Sequence, residues 1–179
     1  MLFRLNARGP RLGTPVTVAA TAGPDLARLA GGPAALDAAF EVLPQSDHVG
    51  LRFDGPTLGL LSTEEILSRG VPVGAVEVPP GGQLLVLMRG RLLTAGYPVV
   101  AVVTSASLDD LAQARPSDTV RITLVDVASA RRDLRALEDE HRALAARVRR
   151  AFEARGLGRL LDPGHAGHPG RSGTARESA

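Results

Sequence analysis

Apolar positions along this chain fall into short runs, densest between residues 70 and 103. Residues 75–78, 84–88 and 99–103 have strand length and β-branched content, and Pro or Gly bounds each run. Upstream, residues 16–20 alternate weakly and predict a strand. Pro24 and Asp25 open a predicted helical turn over 25–30, with Asp25 at its positive end, and Gly31 and Gly32 stop it. Pro33 begins a second short helix over 33–39, and residues 40–43 return to strand. In 46–56, Val49, Leu51 and Phe53 share one face while Arg52 and Asp54 take the other, the alternation of a half-buried strand. Gly50 inside it predicts a bulge or a close backbone approach. Residues 57–69 predict a loop with one helical turn, capped by Ser62 or Thr63 ahead of Glu64 and Glu65.

Downstream, Ser107 is the expected cap of a short helix over 108–114, with Asp109 and Asp110 in its first turn, ended by Arg115 and Pro116. Residues 119–127 predict the last strand, with Val120, Ile122, Leu124 and Asp126 facing one way. From 129 to 155 the period lengthens to about three and a half. Leu134, Leu137, His141, Leu144, Val148 and Ala151 step by three and four, a heptad stripe that packs on its own domain or on a partner. Gly156 ends this helix. The pattern therefore predicts an irregular arm over 1–15, or alternatively one edge strand near 2–5, then a mainly β domain over 16–128, an amphipathic helix over 129–156 and a disordered tail over 157–179.

Composition narrows the chemistry. At 179 residues and 44% hydrophobic content the chain can bury a core. It has no Cys, which excludes disulfides, thiolate nucleophiles and Cys-ligated zinc. All 21 basic residues are Arg, so a Schiff-base lysine, a phosphate-loop lysine and a biotin attachment site are excluded too. Residues 1–128 carry 10 Arg against 12 acids and residues 129–179 carry 11 Arg against 7, so the basic excess lies outside the β domain. That division argues against nucleic acid as a partner. No apolar leader core and no membrane-length run is present, and the expectation is a cytoplasmic protein without a membrane partner.

Few residues invite a chemical reading. His165 and His168 lack a third ligand, and no metal site is expected. His141 belongs to the apolar stripe, where packing or an interface explains it. Ser105 and Ser107 have no His or Asp at a spacing that suggests a nucleophile. Glu77, inside AVEVPPGG, either faces solvent or occupies a polar site. Arg52 and Arg91 lie beside Gly-rich turns, where a guanidinium and backbone N–H groups together hold a carboxylate or phosphate. Tyr97, the single Tyr, either wedges the GYP turn against the core or serves a site.

The ordered motifs SDHVGLRFDGP, GVPVGAVEVPPGGQLLVLMRGRLLTAGYPVVAVV and LAQARPSDTVRI, spread over residues 40–127, resemble the biotin-dependent carboxyltransferase family. That family includes allophanate hydrolase subunit 2, the C subunit of the ATP-dependent 5-oxoprolinase, and the carboxyltransferase domain of urea carboxylase. The resemblance implies a cyclophilin-like β-barrel lobe with short helices, the C-terminal half of a two-lobed protein, followed here by a long α-helix. The N-terminal lobe is then absent or carried on another chain. Against the family's pattern, His48 replaces an Arg, Glu77 a Gln and Gly90 an Asp, while Leu92, Leu93 and Ala95 replace polar or Gly residues. Arg91, Thr94, Gly96, Tyr97 and Pro98 remain.

By resemblance, the chain is a subunit or fragment of a 5-oxoprolinase-type hydrolase that opens 5-oxoproline to glutamate. The implied catalytic residues are Glu77, Arg91 and Tyr97, and the implied substrate-binding residues are Ser46, Asp47, Arg52, Gln83, Thr94 and Gly96. Arg52 and Arg91 would hold the substrate carboxylate or phosphate, and Asp47, Glu77 and Gln83 would orient the ring amide. ATP would bind with a B-type partner subunit, beside a separate decyclising subunit, and any biotin would arrive on another chain. The alternatives are carboxyl transfer to urea or a similar amide, and a non-catalytic lobe that only binds or regulates.

Overall fold

The computed structural model describes residues 15–62 and 64–161. Its strands are β1 (Val16–Ala22), β2 (Ala39–Val42), β3 (Gly50–Asp54), β4 (Arg69–Gly70), β5 (Ala75–Glu77), β6 (Leu85–Leu87), β7 (Thr94–Ala95), β8 (Val99–Val103) and β9 (Thr119–Leu124). Seven of them close a barrel in the order β1-β8-β5-β6-β3-β2-β9. β9 returns parallel to β1, with Val18 opposite Ile122, and the other barrel pairs are antiparallel. Closure leaves no strand edge unpaired. The inward positions, among them Val18, Phe40, Phe53, Val76, Val86 and Val100, are fully buried in one core. Each large apolar side chain placed there contributes about 1.5–3 kcal/mol.

A second apolar cluster lies on the outer face. Val71, Ala75, Leu87 and Val99 are buried there, with Ala95 packed against them. The cover is a two-stranded ribbon in which β4 pairs antiparallel with β7, Arg69 opposite Ala95 and Gly70 opposite Thr94. β8 is thus apolar on both faces, which is why its sequence reads as a continuous run rather than an alternation.

Several local expectations are corrected. The segments expected as helices near 25–30 and 33–39 are 3-10 turns, Leu26–Arg28 and Gly32–Leu36, and the Asp25 side chain does not cap the first. No helical turn forms among the described residues of 57–69; Ser62 Oγ accepts the Glu64 N–H, and the chain stays extended into β4. Thr63 lies outside the described residues. Gly50 sits in regular register, and its reason is close approach, since a Cβ there would come within 2.8 Å of Leu85 Cδ1. The bulge falls instead between Val76 and Glu77.

Helix α1 (Leu108–Leu111) is shorter than expected, and Ser107 does not cap it: its Oγ accepts the Ala19 N–H from β1 at 3.1 Å. β9 stops at Leu124, and Asp126, expected on the strand's inward side, instead accepts the Ser129 N–H at 2.6 Å. There it starts helix α2 (Val127–Glu153), none of whose residues is buried. Gly156 follows with φ +70°. Two compact units divide at Leu137 and Glu138, and every residue discussed for function lies in the barrel unit. The expected edge strand at 2–5 and the tail from 162 lie outside the described residues.

Candidate functional site

Alternation along β5 sends Val76 inward and Ala75 and Glu77 outward, beneath the ribbon. Glu77 is therefore buried, 1% exposed, and its Oε1 has no hydrogen-bond partner. The solvent-facing alternative for this residue is overturned. Burial pushes its carboxyl up to about 7, against a smaller opposing pull from the Arg69 cation. Near neutral pH the group can donate or accept a hydrogen bond.

Sequence reasoning passed over the two residues that accompany it. Asp25 is buried at the end of β1, where its Oδ2 accepts the Val99 N–H at 2.7 Å and an Arg69 guanidinium N–H. Its own N–H donates to Val99 O at 3.0 Å. Since Val99 also pairs with Glu77, both carboxylates border the same point of β8, and β4 brings Arg69 to them. The available signal was Asp25 following Gly23-Pro24, a position explained as helix-opening and so given no chemical role.

Arg52 shares the outer face with Glu77. Glu77 is opposite Leu85 on β6, and Leu85 is opposite Arg52 on β3, so one row crosses the three strands. At the spacing of neighbouring strands, Arg52 and Glu77 are about 10 Å apart at the backbone, within reach of an exposed Arg side chain. Arg91 is half-buried and donates from Nε to Val71 O at 2.9 Å, which ties the turn after β6 to the ribbon. Thr94 lies on β7, and Gly96 approaches the other ribbon arm, with Ile66 O 3.3 Å from where a Cβ would sit. Tyr97 keeps 43% of its surface exposed, so it does not wedge the turn into the core.

The remaining expected site residues are elsewhere. Ser46 and Asp47 line a cavity of about 400 Å³ with His48, Arg89, Asp109 and the apolar side chains of Leu51, Met88 and Leu108. Both also have local duties. Ser46 Oγ bonds the Arg52 N–H and carbonyl, at 3.0 and 3.2 Å. Asp47 Oδ1 accepts the N–H groups of Val49 and Gly50, at 2.8 and 3.1 Å. The Gly50 and Val49 bonds hold the Asp47 carboxyl below its ordinary range. Gln83 lines a separate cleft of about 200 Å³ with Asp54 and Thr57. The structure thus places Arg91, Thr94, Gly96 and Tyr97 on or beside the ribbon and Arg52 in the same cross-strand row as Glu77; Ser46 reaches only the Arg52 backbone, and Asp47 and Gln83 line separate cavities. Among the described residues, no group of three His, Asp or Glu side chains is placed to hold a metal ion.

The model of the carboxyltransferase domain, subdomains A and B, matches residues 6–124. The chain belongs to the carboxyltransferase domain family. The 5-oxoprolinase C subunit of Haemophilus influenzae is 42% identical over 85 residues, 48% of this chain and 28% of that protein. The protein of the same name from Escherichia coli is 35% identical over 97 residues, 52% of this chain and 31% of that protein. The chain thus spans less than a third of the curated relatives it matches. The crystal structure of the K. lactis urea amidolyase aligns with TM-score 0.58 and 17% identity over 72% of this chain and 8% of that one, a likeness of fold.

The carboxyltransferase match covers the nine strands of the described residues, from β1 to the end of β9, and leaves α2 outside it. Two positions read as departures on the resemblance touch each other. Gly90 donates to His48 O at 2.8 Å, and a Cβ on Gly90 would fall 2.2 Å from His48 Cδ2 and 2.8 Å from His48 O. His48 in this position admits only glycine opposite it. Leu92 and Leu93 are 78% and 79% exposed.

Proposed function

We propose that this barrel supplies the amide-binding face of a 5-oxoprolinase-type hydrolase that works with partner subunits. The reading is supported by relatives named as the C subunit of 5-oxoprolinase, and one observation carries it: the buried Glu77 carboxyl, with its Oε1 unpartnered, in the same cross-strand row as Arg52. 5-Oxoproline has a carboxylate and a lactam. A guanidinium suits the first, and a carboxyl that titrates near 7 suits the second, because it can donate to the ring carbonyl or accept from the ring N–H. The Arg69 cation, held by Asp25, acts on the Glu77 carboxyl, while Arg91 fastens the ribbon at Val71 O and Tyr97 stays exposed beside it. Asp47 and Gln83 have no part in this version of the site. Opening the ring breaks the lactam C–N bond with addition of water and yields glutamate. With no Lys in the chain, the ATP phosphates would be held by the B-type partner subunit.

Combined with its partner subunits, the chain is expected to support ATP-dependent glutamate release. Glu77→Ala and Arg52→Ala should each lower it by at least about tenfold, the worth of one lost charge-assisted contact. Release no greater than that of the partners alone overturns the proposal. The exposure of Leu92 and Leu93 favours a second reading, a lobe that only binds its partners. On that reading Arg52→Ala leaves release unchanged and Leu92→Ser weakens partner binding.

A further inference from the structure

The chain leaving β1 runs close against β8. A Cβ on Gly23 would fall 2.3 Å from Val99 O, and the Gly23 N–H donates to Val100 O at 2.9 Å. Two residues on, Asp25 takes both backbone groups of Val99: its Oδ2 accepts the Val99 N–H, and its own N–H donates to Val99 O. The bulge sets Glu77 opposite the same Val99, where regular pairing would set it opposite Val100. Two buried carboxyls therefore meet at one residue of β8, and β4 offers them the guanidinium of Arg69. Arg69 pairs with Asp25, and Glu77 Oε1 keeps no partner. We infer that Asp25 is a positioning residue for Glu77: it engages the Arg69 guanidinium that would otherwise pair with Glu77, and so leaves the Glu77 carboxyl free to bind an amide.

The inference rests on the reading of Glu77 as the amide-binding group, and the chemistry of the two carboxyls explains the division. Asp25 receives a backbone N–H, which favours its ionised form and fixes it in place. Glu77 has no such donor to Oε1 and is 1% exposed, so ionising it means holding a bare charge out of water. Its surroundings offer little else. Leu85 of β6 and Val99 of β8 flank it, and Val71 and Ala95 of the ribbon pack on the same outer cluster. Arg91 is committed to Val71 O, Arg52 stands one strand beyond Leu85, and Tyr97 is 43% exposed. Arg69 is thus the cation whose charge bears on Glu77. An ion-paired Glu77 would only accept, with its oxygens already engaged; the protonated carboxyl both donates to an amide carbonyl and accepts from an amide N–H.

The test follows the ionisation midpoint of Glu77 in the full-length chain, read from its carboxyl carbon resonance and assigned by the loss of that signal in Glu77→Gln. Asp25→Asn keeps an oxygen for the Val99 N–H but gives up the charge. Arg69 then turns to Glu77, and the midpoint should fall from about 7 by about one to three pH units, the effect of an opposite charge at close range. Adding Arg69→Gln should return it to within about half a pH unit of the unmodified chain. A second measurement needs no substitution: Arg69 should stay with Asp25 as Glu77 ionises, so its guanidinium resonances should not follow the Glu77 titration. An unmoved midpoint in Asp25→Asn, a double variant that stays low, or Arg69 resonances that titrate with Glu77 overturns the inference. With the partner subunits present, the Glu77 limb of the pH profile for glutamate release should move down with the midpoint in Asp25→Asn. The two readings fail separately. Midpoints that move as expected without any glutamate release leave Asp25 in control of Glu77 and sink the hydrolase reading, whereas release with unmoved midpoints does the reverse.

Discussion

The protonation of Glu77 links the proposed chemistry to stability. Its folded-state value is about 7 against an ordinary 4.5, so the unfolded chain loses this proton first as pH rises. The sign follows: the Glu77 contribution to stability is fully present below pH 4.5, falls between 4.5 and 7, and is lower by about 3 kcal/mol once both states are ionised. Glu77→Gln, which cannot ionise, should flatten that decline and unfold at a higher temperature than the unmodified chain at pH 8. Thermal melts of the two across this range check it, and parallel slopes would refute the assignment. Gly90 gives a second prediction at this scale. Gly90→Ala should cost about 2 kcal/mol by denaturant titration, and truncating His48 should recover only part, because the His48 carbonyl oxygen also lies in the way. The sequence left Glu77 between solvent and a polar site. What decided it was the cover contributed by β4 and β7, two residues each, which leave no periodic trace.

The barrel strands and the ribbon differ in how they are held, and that difference also decides which of them could be read. β5, β6 and β8 lie within the apolar runs 75–78, 84–88 and 99–103, and the Pro or Gly flanking those runs announces them. Among the described residues, the ribbon is held by the packing of Val71 and Ala95, its short ladder, the Val71 N–H to Leu93 O bond, the Arg69–Asp25 ion pair and the Arg91 bond to Val71 O. Removing that last bond should loosen the cover before it affects the barrel. Arg91→Ala is expected to raise hydrogen-exchange rates at Gly70, Val71 and Thr94 at least about tenfold while Val76, Val86 and Val100 exchange as before. Equal acceleration in both sets would mean that Arg91 supports the barrel itself. Arg91 was legible as a candidate because Gly90 precedes it, but its partner was not, since Val71 lies twenty residues away across a turn.

At the scale of the whole chain, every ladder that closes the barrel lies between Val16 and Leu124, within the matched 6–124. Among the described residues no helix is long and apolar enough to cross a membrane. The motif order identified the fold because those turns and strand cores are what the barrel is made of, whereas the parallel closure of β9 on β1 joins segments too far apart for any local pattern to show. A chain ending at Leu137 therefore keeps every ladder that closes the barrel and every core side chain. Its melting temperature should stay within about 3 °C of the full chain's barrel transition. A fall well beyond that, measured by a thermal melt of the two chains side by side, would refute the prediction that residues 16–124 carry the barrel's stability by themselves.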